Sequence, residues 1–139
     1  MSEASARFLL SIAAAAALGA APARAHHSFS AVYDANSPIT LTGDVTEIEW
    51  RNPHIYIYVN VRDESGQATV FAVEGSTPNM LYRRGWRKDD LRVGDTITVQ
   101  GFMARDGSAQ LNSRRITLPN GRVVFTGSTD GGPTEAELD

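Results

Sequence analysis

The chain has 139 residues, 42% of them hydrophobic, a formal net charge of −3 and no cysteine. That length suits one domain and is short for two, and the lack of cysteine excludes a disulfide framework and a thiol nucleophile. The mild negative charge provides no strong positive field, so nucleic acid and anionic membrane surfaces are not expected as partners.

Arg7 gives a weakly basic start, residues 8–21 are apolar, and Ala23-Arg24-Ala25 places small residues where a signal peptidase reads. This predicts a secretory signal over 1–25, cut after Ala25. The apolar run is short for a membrane span of roughly 20 residues, so no membrane insertion is expected after cleavage. The expected location is the periplasm.

A mature N-terminal segment, 26–38, then opens with His26-His27-Ser28-Phe29. Phe29, Val32 and Tyr33 have helical spacing, but the run is too short to count as a helix. Asp34-Ala35-Asn36-Ser37-Pro38 reads as a turn.

Residues 39–50 form the first predicted strand. Leu41, Gly43 and Val45 keep one phase while Ile48 and Trp50 keep the other, which places a bulge near Thr46-Glu47. Trp50-Arg51-Asn52-Pro53 makes a corner, because Pro53 lacks an amide hydrogen and biases Asn52 towards extended geometry. Residues 54–62 form the second strand. Ile55, Ile57, Val59 and Val61 alternate with His54, Tyr56, Tyr58 and Asn60, so one face is aliphatic and the other polar and aromatic. After the turn at Asp63–Gly66, the third strand covers 67–74. Val70 and Ala72 share one face, Phe71 and Val73 the other, which predicts burial on both sides.

Thr77, Pro78 and Gly85 mark the N-cap, first position and end of a short helix over 79–84. Trp86, Leu91 and Val93 are expected to pack beneath it. Two further strands follow at 96–105 and 110–118, joined by Asp106-Gly107, and 122–126 returns as a hairpin arm. Residues 128–139 read as a disordered acidic tail. The order predicts an all-β chain with one short helix: a five- to six-stranded OB-fold-like small barrel over 39–127, with a small open sandwich as the alternative.

The outer face of strands two and three commonly holds ligands in OB folds. Candidate ligand-binding residues are therefore His54, Tyr56 and Tyr58, with Trp50 and Asn52 at the corner. Candidate metal ligands are His26, His27 and His54. If cleavage leaves His26 first, its amine and ring nitrogen can chelate one ion and His54 or His27 can complete a planar nitrogen set that favours Cu(II). The arrangement resembles the histidine brace of secreted copper proteins, and copper is the one cofactor these residues suggest. No catalytic set stands out. Glu47 and Glu49 share a strand face and read as solvated, Met80 and Met103 as gap fillers, and the cations Arg83, Arg84, Arg87 and Lys88 as complements to a helix end.

His26-His27-Ser28-Phe29, Tyr33-Asp34, Leu41-Thr42-Gly43, Glu49-Trp50-Arg51-Asn52-Pro53-His54, Arg83-Arg84-Gly85-Trp86 and Asp106-Gly107-Ser108 together resemble a family of small exported bacterial proteins of unknown function. That resemblance implies an envelope location and no established activity. A looser resemblance, in strand order and Gly-Asp turns, is to periplasmic OB-fold proteins that bind small ligands. The combined reading is a non-enzymatic periplasmic binding module whose partner is a small ligand or an envelope protein. A copper-binding protein is the alternative.

Overall fold

The computed structural model describes residues 28–127 and 132–134. The expected signal segment, His26, His27 and most of the expected tail lie outside the described residues. One α-turn, α1 (Phe29–Val32), leads into β1 (Tyr33–Glu49), β2 (Tyr56–Arg62) and β3 (Ala68–Glu74). Helix α2 (Pro78–Arg83) and a 3-10 turn (Lys88–Asp90) follow, then β4 (Thr96–Ala104), β5 (Gln110–Thr117) and β6 (Val123–Phe125). No helix among the described residues is long and apolar enough to cross a membrane.

The strands lie in the order β3-β2-β1-β4-β5-β6, and β3 also pairs with β5. That last pairing is parallel and all others are antiparallel. Five strands thus close into a ring, with a helix between the third and fourth, which is the OB-fold arrangement. Strand β1 makes this possible by serving two neighbours. Its first part pairs with β4, its last part with β2, and Asp44 faces both Asn60 and Thr96. The register slips between Val45 and Glu47, at the bulge the phase switch predicts. An extra residue there increases local twist and bends the strand from one neighbour to the next.

The expected turn at Asp34–Pro38 lies inside β1. Tyr33 faces Ala104 and Pro38 faces Phe102, so the residues between them bulge out of the ladder. Asp34 Oδ1 accepts from the Asn36 amide at 3.0 Å. Asx chemistry here kinks a strand and does not end one. The Phe29 segment, too short on sequence to count as a helix, does form a single helical turn.

The main core fills the ring with Val45, Ile57, Val59, Ile97, Val99 and Leu111, together with Trp86 and Leu91 from the α2 side. Two expectations of burial fail. Val93 is 64% exposed, and Val70 on β3 is 50% exposed. Strand β5 covers β3 only at Ala72–Glu74, so the first half of β3 keeps an open side. The cap of α2 follows the sequence reading, with Thr77 Oγ1 accepting from the Met80 amide at 3.2 Å.

A second, smaller cluster forms outside the ring. Phe102 and Ala104 alternate with core-facing Met103 on β4, so their side chains stand on the outer face. Phe29 and Tyr33 cover them. Gly132 lies against Phe29 and Arg114, where a Cβ would overlap the guanidinium.

Candidate functional site

Register defines the outer face of β1, β2, β3 and β5. Residues directly opposite in neighbouring strands share a face. One row across the sheet is Glu49, Tyr56, Glu74 and Asn112, and the next is Glu47, Tyr58, Ala72 and Gln110. A third row pairs Asp44 with Asn60 and Val70. The bulge before Glu47 keeps Asp44, Glu47 and Glu49 all on this side. Along β2, Ile55, Ile57 and Val59 are fully buried while His54, Tyr56, Tyr58 and Asn60 are half-buried. The alternation read from sequence therefore divides core from outer face as expected.

Glu74 is the centre of the polar network, and its carboxylate meets neutral donors. Its Oε2 accepts from the Tyr56 hydroxyl at 2.6 Å and from the Tyr33 hydroxyl at 2.9 Å. Its Oε1 accepts from Asn112 Nδ2 at 3.1 Å. Gln110 Nε2 donates to the Tyr33 oxygen at 2.7 Å. Among the described residues no cation pairs with Glu74. Nor does the buried Asn112 Oδ1 have a donor there. Burial pushes the Tyr33 phenol far above its ordinary range, and the Glu74 charge beside it pushes the same way. Tyr56 is raised by burial and then by its bond to Glu74. Both tyrosines are therefore held as neutral donors.

His54 stands just before β2. Its Nδ1–H donates to the Gly75 carbonyl at 3.1 Å, next in sequence to Glu74. This fixes the orientation of the ring and leaves Nε2 outside that bond. Two other sequence candidates lie elsewhere. Trp50 packs edge-on against Trp86, with ring centres 5.6 Å apart, and against Tyr82 at 6.1 Å. It belongs to the support of α2 and not to the tyrosine face. Asn52 is exposed, joined to Pro53 by a cis peptide bond. Arg51 Nε donates to Glu49 Oε2 at 2.9 Å, which neutralises one of the carboxylates. Arg84 and Arg87 stack on Phe125 and Tyr82, so half of the basic cluster clamps the fold.

Among the described residues, no group of three or more His, Asp or Glu side chains is placed to hold a metal ion. Sequence reasoning missed Glu74, Tyr33, Gln110 and Asn112. Only Glu74 had a sequence signal: it ends an apolar strand with a carboxylate in the same phase as Val70 and Ala72.

The model of a family of unknown function, DUF6152, matches residues 14–112. The chain belongs to this family. The match spans the ring from β1 to the start of β5, including every strand that contributes to the tyrosine face. No curated protein matches the chain. This DUF6152 protein is similar in structure to the mitochondrial single-stranded DNA-binding protein Rim1 of S. cerevisiae. The TM-score is 0.45 at 13% identity, over 66% of this chain and 96% of that one. It is also similar to the dimeric N-terminal domain of PriB from Thermoanaerobacter tencongensis. There the TM-score is 0.42 at 18% identity, over 60% and 96% of the two chains. The yeast protein corrects one expectation. It is a single-stranded DNA-binding protein, which overturns the exclusion of nucleic acid as a partner drawn from net charge.

Proposed function

We propose that this DUF6152 protein is an exported periplasmic binding module, not an enzyme, whose outer β1–β2–β3 face takes a positively charged group. The observation that carries this reading is the register that sets Tyr56 and Tyr58 among Asp44, Glu47, Glu49 and Glu74. Glu47 is exposed, and Asn112 Oδ1 beside Glu74 has no donor among the described residues. An alkylammonium or guanidinium group is recognised by carboxylates at short range and by the faces of tyrosine rings. Each such contact at a half-exposed site contributes roughly 0.5–1 kcal/mol. A single amine is therefore expected to bind with a Kd on the order of millimolar, weakening with salt.

The test is titration of the isotope-labelled mature protein with spermidine, with an arginine-rich peptide and with a single-stranded oligonucleotide, followed by NMR. Shifts from either cation centred on Tyr58, Ala72 and Glu47, and lost in Glu47→Gln, support the reading. Saturation by spermidine points to a free amine, and by the peptide alone to a basic protein segment. No shift with either cation, or oligonucleotide shifts on this face, would overturn it.

A second reading, a copper-binding protein using His26 with His54, is favoured by one observation. His54 gives its Nδ1–H to the Gly75 carbonyl, and metal-ligating histidines commonly anchor their other nitrogen in this way. The experiment is Cu(II) titration of the exported chain, a chain with one residue added before His26, and His54→Ala. Tight binding by the first alone supports a shared site, and equal binding by all three sinks it.

A further inference from the structure

Two side chains from different parts of the fold meet on one oxygen. Tyr33 arrives from the segment that docks outside the ring, and Tyr56 belongs to the tyrosine face. We infer that residues 28–33 form a strap whose docking is coupled, through the Glu74 carboxylate, to the state of the Tyr56/Tyr58 face. As a mode of regulation this rests on the ligand-face reading above, while the coupling itself is a property of the protein alone.

The strap has little stability of its own. Helix α1 is a single turn, and Ser28 makes no side-chain cap. An isolated turn of that length does not persist in water, so its order comes from what it touches. Apolar contacts come from Phe29, which lies 5.7 Å from the Tyr33 ring and 5.8 Å from the Phe102 ring, with the Arg114 guanidinium 4.7 Å from its centre. Backbone contacts come from Arg105, whose amide donates to the Val32 carbonyl at 2.9 Å and whose Nε donates to that of Ser30 at 2.8 Å. The polar anchor is the Tyr33 hydroxyl, which sits in a residue only 2% exposed. A buried hydroxyl that loses its acceptor is costly, so the strap depends on where the Glu74 carboxylate points.

Tyr56 helps to decide that. Its hydroxyl, at 2.6 Å, holds the same Oε2 that receives Tyr33. Because no cation among the described residues fixes Glu74, its donors set its position. A group that drew Glu74 or the Tyr56 hydroxyl outward would loosen the strap, and a loosened strap would leave the carboxylate freer to meet such a group. Reciprocity of this kind is required of any two linked equilibria.

Hydrogen exchange of the ligand-free protein tests the coupling. The Arg105 amide is the reporter, since its acceptor is a strap carbonyl. Tyr33→Phe should speed its exchange roughly tenfold. Tyr56→Phe should speed it several-fold. The double variant should fall short of the product of the two, because both act through one carboxylate. Tyr58→Phe, on the same face but outside the Glu74 network, should leave it unchanged. Amides of β1 and β4 in the ring core serve as the folding control. Unchanged or slower exchange in Tyr56→Phe, or a double variant equal to the product, would overturn the coupling. No ligand is present, so that result would leave the proposed binding face standing, and failure of cation binding would leave the coupling standing.

Discussion

Gly43 lies so close to Asn60 that a Cβ on it would run into the Asn60 carbonyl oxygen. The contact occurs where β1 passes from β4 to β2, and it explains the glycine better than any need for unusual dihedrals. Gly101 stands in the same relation to the Asn112 carbonyl across β4 and β5. Gly43→Ala and Gly101→Ala should each cost about 1–3 kcal/mol through forced separation of strands. Urea midpoints of the two variants check this; wild-type values would mean the strands can spread without loss.

Ile57 and Tyr58 are neighbours with opposite surroundings. Ile57→Asp puts a carboxylate in the ring core, where an unpaired ion costs several kcal/mol, and should prevent folding. Tyr58→Ser removes a half-exposed ring and should cost about 1 kcal/mol or less. Circular dichroism through a urea series separates the outcomes, and equal losses would reverse the assignment of faces.

The cap on α2 is a smaller test of the same kind. Thr77→Ala removes the acceptor for the Met80 amide and should lower stability by about 1 kcal/mol. Thr77→Ser keeps that oxygen and should stay close to wild type. Thermal melts of the pair suffice.

Trp50 yields a prediction because its place differs from the expected one. Trp50→Ala should destabilise the α2 side by removing its contacts with Trp86 and Tyr82. Spermidine binding by the folded variant should match wild type. A folded variant that binds more weakly would return Trp50 to the ligand face.

Alkaline pH probes Tyr33 and Tyr56. Both phenols are raised above their ordinary value of 10.0 in the fold. Below about pH 10 neither folded nor unfolded tyrosine is ionised, so their contribution is fully present there. As pH rises past 10 the unfolded chain loses these protons while the folded chain keeps them, and stability falls. Tyrosinate absorbance should show Tyr33 and Tyr56 ionising only with unfolding, and Tyr33→Phe should flatten the decline. Titration of Tyr33 or Tyr56 in the folded protein near pH 10 would contradict the buried network.

The local rules were legible in sequence where a few neighbouring residues decide the outcome. Thr77, Pro78 and Gly85 bracket α2, and the phase change between Val45 and Ile48 marks the bulge of β1. Burial that depends on a distant partner was not legible. Val70 reads as core because its neighbours are apolar, yet β5 stops short of it. Asp34 and Asn36 read as a turn because their hydrogen bond is local, while the strand continues through pairing with β4. The Glu74 network draws one residue each from the strap, β2 and β3 and two from β5, and no spacing in the sequence relates them.

The parallel pair that closes the ring also sets an order of events. Ala72, Val73 and Glu74 meet Gln110, Leu111 and Asn112 across a separation of 38 residues. The meander β1–β2–β3 can form from near neighbours, whereas closure must wait for α2, β4 and β5 to be in place. Until then β3 presents an unpaired edge, with Val70 to Val73 along it, to any other chain at hand. Refolding yield should therefore depend on protein concentration, with losses arising in the interval before β5 arrives.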